Sequence, residues 1–293
     1  MIKWKGMIWS VHPLFVIIML GSVITGYFAE LFTLFLLVFV HELGHVLVAR
    51  SFGWTIREVK LLPFGGVVEV EEAGGVPAKE EALVAIAGPL QNLWMGLAAF
   101  VCGKLGFWDA GWAEYVWKAN MMIGLFNLLP IHPLDGGKLL QAALSYRINY
   151  YRMLIWSARI SLLFSVLMII SSFLPMLIYR DGLQLNLLIV GIFLFMTNWT
   201  YYRNVPFLFY RFLMYRGRVT IHALSKGHIA SPIIVNSRQS VLSVAKLFLR
   251  EQYHLIYMVV PGTNEVKVLP EQKIVEGCLS ETNPGRAVSE LFM

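Results

Sequence analysis

Residues 31–50 read LFTLFLLVFVHELGHVLVAR, an apolar run of helical length with His41, Glu42 and His45 on one turn near its end. An apolar run of this length is typical of a membrane-spanning helix. Ionisable groups inside such a helix cost about 2.5–3.5 kcal/mol each on insertion scales, unless they pair or bind a metal. The stretch therefore predicts a membrane helix that carries a functional site.

The composition of the whole chain supports a membrane location. Hydrophobic residues make up 57% of the 293 residues and charged residues only 14%, whereas about a quarter of a soluble domain is charged. This composition excludes secreted, fibrous and disordered proteins. The net charge of +6 indicates membrane topology and contact with anionic lipid rather than nucleic-acid binding. Cys102 and Cys278 lie in different contexts and predict no disulfide framework.

Apolar segments of about 20 residues predict where the chain crosses the bilayer. They are residues 13–29, 31–49, 82–103, 115–131, 155–178 and 184–202, which makes six predicted spans. With a cytoplasmic N-terminus, the cytoplasmic span ends carry Lys3, Lys5, Arg50, Arg57, Lys60, Lys79, Lys138, Arg147, Arg152, Arg159 and Arg203, and the opposite ends carry Lys104, Lys118 and Arg180. This asymmetry predicts that both termini are cytoplasmic.

Two further regions depart from plain membrane helices. Residues 51–79 are rich in Gly, and residues 68–71 alternate apolar and acidic side chains, which predicts a β-hairpin. Because residues 61–64 are apolar enough to enter the bilayer, we expect a membrane re-entrant β-hairpin. In the tail, strands at 233–235 and 256–260 flank an amphipathic helix predicted at 240–252.

These patterns predict a polytopic α-helical membrane protein with a small cytosolic α/β domain. Its parts are a six-helix membrane domain at 1–203, an interfacial linker at 204–218 and the cytosolic domain at 219–293.

The HELGH stretch at 41–45 has the spacing of a metal site. Positions i and i+4 of a helix share one face, so His41 and His45 can hold one Zn²⁺ while Glu42 takes a proton from a metal-bound water. Polarised water beside a carboxylate is the machinery of metalloprotease hydrolysis. The alternative is a proton relay or a satisfied polar cluster inside a helical bundle.

A catalytic zinc needs a third protein ligand. One candidate is Asp135 within NLLPIHPLDGGK, residues 127–138, where two prolines break the fourth apolar segment. Asp135 is equally suited to cap the helix that follows, since Asp is a favoured N-cap residue. His132, which lies between Ile131 and Pro133, is another candidate ligand.

HELGH in an apolar helix, followed by NLLPIHPLDGG, resembles the site-2 protease family of intramembrane zinc metalloproteases. The resemblance implies Asp135 as the third zinc ligand and Glu42 as the catalytic base. It also implies that Asn127 and Pro130 help to place the substrate. Phe64, Gly65 and Gly66 match the re-entrant loop of the family, which implies contact with an unwound substrate. AGPLQN, residues 87–92, matches another family motif, although a kinked, closely packed helix also explains it.

The stretches LLPFGGVVEVEE (61–72) and NLLPIHPLDGGKLL (127–140) resemble the sporulation members of that family. This likeness implies a pro-sigma-K-like substrate, inhibitory membrane partners and a location in the outer forespore membrane, with both termini on the mother-cell side. The tail resembles a single CBS domain, which implies a homo-oligomer and control by ATP.

The function predicted from these features is intramembrane proteolysis by a zinc endopeptidase. One alternative is a CBS-gated transporter of metal ions or protons that uses the same side chains. The chain shows no inverted repeat of the kind common in transporters. A second alternative is an inactive relative that only binds membrane partners, which the intact His41, Glu42, His45 and Asp135 disfavour.

Overall fold

The computed structural model of the chain describes residues 2–4, 7–11, 13–62, 65–70, 76–178, 182–226, 229–259, 266–280 and 285–292. In chain order the elements are β1 (Ile2–Trp4), β2 (Met7–Val11), α1 (Pro13–Thr25), α2 (Phe28–Ser51), β3 (Ile56–Leu62), β4 (Gly65–Val70), α3 (Ala78–Lys104), α4 (Ala110–Asn127), α5 (Asp135–Ser145), α6 (Tyr150–Ser171), α7 (Leu174–Ile178), α8 (Leu185–Arg203), α9 (Val205–Lys226), β5 (Ser231–Asn236), α10 (Val241–Ala245), β6 (His254–Val259), β7 (Val266–Pro270) and α11 (Glu271–Leu279), followed by a 3₁₀ turn (Val288–Phe292).

The chain folds as two compact units, residues 1–139 and residues 140–293. This division groups the last apolar helices with the tail. The predicted limits at 203 and 218 divide the chain by function, into a membrane domain, a linker and a regulatory domain. Compactness alone does not test these limits, so they stay a prediction.

Four helical segments of the described chain are long and apolar enough to cross a membrane: Phe28–Ser51, Ala78–Lys104, Tyr150–Ile178 and Leu185–Arg203. The two other predicted spans correspond to shorter or more polar helices. α1 has 13 residues, or about 20 Å of helix, and α4 contains the exposed ion pair of Glu114 and Lys118. The described part of the chain is therefore mostly helical, with four candidate spans.

α2 positions the HELGH stretch. Its 24 residues extend about 36 Å, enough to cross roughly 30 Å of hydrocarbon. Glu30 in the first turn and Arg50 in the last suit the helix dipole. The helix ends before Gly53, whose φ of +77° is the left-handed conformation that commonly closes a helix.

A four-stranded sheet of order β1-β2-β3-β4 belongs to the first unit. β3 and β4 form the predicted antiparallel hairpin, with Leu62 opposite Gly65 at its tip. β1 and β2 were not expected from the sequence, and β2 pairs in parallel with β3. Phe64 lies outside the described residues, so the tip of the predicted re-entrant loop is not described.

In the second unit the tail forms a three-stranded sheet of order β5-β6-β7. β5 and β6 run parallel, as a strand–helix–strand pattern predicts, and β7 is antiparallel to β6. The core joins the tail to α9, because Phe209, Phe212 and Leu213 are buried with Phe248 and Ile256. α9 covers the predicted linker and continues eight residues beyond 218.

The helix predicted at 240–252 is wrong in length, because α10 ends at Ala245. The physical reason is that the Leu249 N–H, which would donate to the carbonyl oxygen of Ala245 in a continuing helix, donates instead to His254 Nε2 at 3.2 Å. Arg216 of α9, which is 1% exposed, binds the segment that follows. Its guanidinium donates hydrogen bonds to the carbonyl oxygens of Leu249, Arg250 and Gln252. These carbonyl groups are thereby held in an irregular segment that caps the buried guanidinium.

Arg216 also pairs with the buried carboxylate of Glu271, with Nε and Oε1 3.1 Å apart. Burial raises the pKa of Glu271, but the hydrogen bond from His254 and the charge of Arg216 outweigh it and hold that pKa below its usual range. The carboxylate is therefore charged at neutral pH inside the core.

Replacing Arg216 with alanine should destabilise the second unit by about 3–5 kcal/mol, because Glu271 would remain buried and charged without its partner. Thermal melting and limited proteolysis of the tail in the full-length protein measure the loss. Arg211→Ala on the same helix, at a half-buried position, is the matched control and should change stability far less. Equal melting of the two variants would contradict the role given to the ion pair.

Candidate metal centre

His41 and His45 lie one turn apart on α2 and point to the same place. Both are buried, at 2% and 4% exposure, and their Nε2 atoms are 3.2 Å apart. The rings stand edge to face with centroids 4.8 Å apart. The expected i, i+4 pair is thus a pair of imidazoles whose Nε2 atoms converge.

Asp135 brings a carboxylate to the same point from a distant part of the sequence. Its Oδ2 lies 3.2 Å from His41 Nε2 and 3.1 Å from His45 Nε2, and Lys138 Nζ is 3.5 Å from Oδ1. Asp135 is the first residue of α5. Gly136 permits this placement, because a Cβ there would stand 2.2 Å from the carbonyl oxygen of Leu128.

The donor set fits zinc. The three ligand atoms form a triangle with sides of 3.1–3.2 Å, close to the edge of about 3.3 Å expected for a tetrahedral site with bonds near 2.0–2.1 Å. Two imidazole nitrogens and a carboxylate oxygen leave the fourth corner of a tetrahedron for water or substrate. In the described part of the chain, the group of possible metal ligands consists of His41, His45 and Asp135. His132, the other candidate for the third ligand, does not belong to it.

The other ring nitrogens are tied to α3, which fixes both tautomers. His41 Nδ1 donates to Asn92 Oδ1 at 2.5 Å, and His45 Nδ1 donates to the carbonyl oxygen of Val84 at 2.7 Å. Asn92 in turn donates from Nδ2 to Asn120 Oδ1 at 3.1 Å. With both Nδ1 atoms protonated, both Nε2 lone pairs face the site, as metal-ligating histidines require.

Gly88 lets α3 approach these rings. A Cβ at Gly88 would lie 2.3 Å from His45 Nε2 and 2.6 Å from His41 Nε2. Val84, Gly88 and Asn92 are spaced four residues apart, so they lie on one face of α3. The sequence indicates that AGPLQN is a motif, but sequence reasoning does not predict its role in holding the imidazoles. The i, i+4, i+8 spacing is the signal that could have revealed it.

Asn92→Ala should weaken zinc binding by about 10–100-fold, because His41 would lose the partner that fixes its tautomer. Asn92→Asp keeps an acceptor for His41 Nδ1 and should bind zinc much closer to the wild-type level. Competition with a chelator measures both affinities in the purified chain. An Ala variant that binds zinc as tightly as the wild type would show that Asn92 only packs against the histidine.

The remaining predicted site residues lie on α2, at the end of α4, in the loop before α5 and on β4. Glu42 follows His41 directly and is 6% exposed. Asn127 ends α4, and its Nδ2 donates to the carbonyl oxygen of Ile123 at 3.1 Å. Pro130 is half-buried in the loop before α5, and Gly65 and Gly66 begin β4.

Comparison with known proteins decides the family. The profile of Peptidase family M50 matches residues 29–108 and 106–168, which include His41, His45 and Asp135. Stage IV sporulation protein FB of Bacillus subtilis is 33% identical over 293 residues, which covers 99% of each chain. The chain belongs to peptidase family M50, the site-2 protease family. The resemblance inferred from HELGH and NLLPIHPLDGG is thereby confirmed.

Relatives from Methanocaldococcus jannaschii agree with this membership. A zinc metalloprotease of that organism is 33% identical over 172 residues, which are 56% of this chain and 49% of the relative. The solved structure of the site-2 protease from Methanocaldococcus jannaschii matches with a TM-score of 0.54 and 29% identity, covering 69% of this chain and 94% of that chain. The chain is a zinc metalloprotease, and the enzymatic prediction is confirmed over the transporter alternative.

Proposed function

We propose that this M50 protease is an intramembrane endopeptidase that removes the pro-sequence of a membrane-associated, pro-sigma-K-like protein during sporulation. The observation that carries the proposal is the buried convergence of His41, His45 and Asp135 beside Glu42. The near full-length similarity to a sporulation protein supports a sporulation substrate.

The proposed roles of the site residues follow from their chemistry. His41 and His45 hold zinc through Nε2, and Asp135 holds it through a carboxylate oxygen. Zinc, when bound there, supplies a Lewis acid that polarises the scissile carbonyl and activates water. Lys138, close to the second oxygen of Asp135, orients that carboxylate by charge.

Glu42 acts as the general base in this proposal. It takes the proton from the attacking water and passes a proton to the departing amine, a role that suits a carboxylate within reach of both. Its burial keeps competing bulk water away from the carboxylate. Neither step needs another titratable group from the chain.

The substrate is proposed to bind in an extended form. β4 is at the edge of the four-stranded sheet, and an extended peptide can add to such an edge through backbone hydrogen bonds. Phe64, Gly65 and Gly66 would contact the unwound segment, and Asn127 and Pro130 would limit its position near the metal. A peptide held this way exposes the carbonyl that a helix would keep hydrogen-bonded.

We also propose a finer architecture with six spans, a re-entrant hairpin, both termini in the cytoplasm and domain limits at 203 and 218. The parallel β5–β6 pair around a short helix is compatible with a CBS-like regulatory domain that binds ATP and pairs between chains. Inhibitory membrane partners would hold the protease inactive until its substrate is required.

Co-expression with the N-terminal part of pro-sigma-K tests the proposed function. The wild-type chain should shorten the substrate on a denaturing gel, and a His41→Ala, His45→Ala double variant should not. If an intact, zinc-loaded wild-type chain leaves the substrate uncut, the substrate class is wrong although the family assignment stands. Shortening that persists in the double variant would reject the proposed metal ligands.

A further inference from the structure

A cleft of about 330 Å³ lies in the second unit, and none of the residues that line it belongs to the metal centre. One wall is the beginning of α6, with Tyr151, Arg152 and Ile155, and the other is the end of α10, with Lys246 and Leu247. The proteolytic site makes no use of this cleft. It combines an apolar lining with two cationic side chains.

The two walls are held together by direct contacts. Tyr150 N donates to the carbonyl oxygen of Phe248 at 3.0 Å, and the ring of Tyr150 stacks on Phe212 at a centroid distance of 4.0 Å. Lys246 Nζ lies 4.5 Å above the centroid of the Tyr151 ring. The lysine charge is therefore held at the cleft by a cation–π contact rather than left on a free side chain.

The electrostatic character of the cleft selects an anion. Arg152 is exposed and Lys246 half-buried, and the residues of the described chain that line the cleft include no Asp or Glu. Arg159 is exposed two turns further along α6, on the same side as Arg152. The cations thus form a short line that leads from the cleft along the helix.

The position of this line along the span places it at a membrane surface. The candidate span Tyr150–Ile178 carries no charged residue after Arg159, and its uncharged stretch at 160–178 has the length of about 20 residues that the hydrocarbon requires. The turns of α6 before residue 160 therefore lie at the headgroup region. Trp156 is 50% exposed there, and Arg159 Cζ lies 5.7 Å from the centroid of its ring. Such a pair of residues is typical of the membrane interface.

We propose that the cleft binds the headgroup of an anionic phospholipid. Arg152 and Lys246 would receive the phosphate, and Ile155 and Leu247 would line the glycerol region. The acyl chains would follow the exposed face of α6, where Leu163 and Leu167 are 57% and 49% exposed. Bound lipid would thereby join the small tail domain to the membrane surface next to the first turn of α6.

The test measures binding of dioleoyl phosphatidylglycerol and dioleoyl phosphatidylcholine to the full-length chain in detergent by native mass spectrometry. The wild type should retain phosphatidylglycerol in preference to phosphatidylcholine. An Arg152→Gln, Lys246→Gln double variant should bind phosphatidylglycerol roughly 25-fold more weakly, since each basic residue near an anionic surface contributes about fivefold. The single Arg152→Gln variant, at an exposed position, should show about a fivefold loss.

The matched control is an Arg238→Gln, Lys273→Gln double variant, which removes the same charge from exposed tail positions. It should bind phosphatidylglycerol like the wild type, and a melting curve checks that each variant is folded. Equal losses in the two double variants, or no loss in either, would overturn the proposal. Displacement of the lipid by glycerol 3-phosphate as readily as by short-chain phosphatidylglycerol would assign the cleft to soluble phosphates instead.

Discussion

A Glu42→Gln chain should bind one zinc and cleave its substrate at least about 100-fold more slowly than the wild type. A positioned general base contributes roughly 10²–10⁴-fold to a rate, and glutamine keeps the shape of the side chain while losing its basicity. His41, His45 and Asp135 remain in place in this variant. Zinc content by atomic absorption and cleavage rate in detergent therefore separate metal binding from proton transfer.

Glu30→Gln is the matched control, because it makes the same change on the first turn of the same helix. Its zinc content and cleavage rate should stay near the wild-type values. A Glu42→Gln chain that cleaves at a wild-type rate would remove Glu42 from the mechanism. A variant that has lost its zinc would instead show that Glu42 supports the metal site.

Gly88→Ala should abolish zinc binding and, with it, proteolysis. The added methyl group would stand 2.3 Å from His45 Nε2 and 2.6 Å from His41 Nε2, which is far inside van der Waals contact. Either the rings turn away from each other or α3 moves away from α2, and both movements break the triangle of ligand atoms. We expect zinc affinity to fall by at least about 100-fold, the upper end of what loss of ligand orientation causes.

Gly96→Ala on the same helix distinguishes this effect from helix packing in general. Its added methyl group would stand 2.8 Å from the terminal methyl of Met121, 3.1 Å from the Trp117 ring and 3.3 Å from Asn120 Cβ, all on α4, so it disturbs helix packing without touching either histidine. This control should retain zinc and activity. If both alanine variants bind zinc normally, the close approach of α3 to the histidines does not define the site.

Two of the three metal ligands could be predicted from local signals. His41 and His45 are one helical turn apart, so spacing alone places them on one face. Asp135 is 94 residues from His41, and sequence reasoning could not choose between ligand and helix cap. The family resemblance favoured the ligand, and the contacts of Asp135 with both imidazoles support that choice.

The residues around the ligands could not be predicted because they depend on tertiary packing. Asn92 contacts His41 only because α2 and α3 cross at a particular point. The sequence of either helix alone does not determine where the two helices cross. The tail helix illustrates the same limit, since its amphipathic pattern continues past Ala245. The helix ends there because the Leu249 N–H donates to His254 Nε2, on another element, instead of to the carbonyl oxygen of Ala245.

The contacts of the two histidines have a consequence for the order in which the enzyme is made. His41, His45, Val84 and Asn92 all belong to the pair α2 and α3, whereas Asp135 is synthesised more than forty residues after Asn92. The imidazoles can thus be aligned as soon as the second of these helices has left the ribosome and inserted. A nascent chain at that stage holds both nitrogens of the centre but lacks its carboxylate, and maturation of the protease is completed by a single late segment.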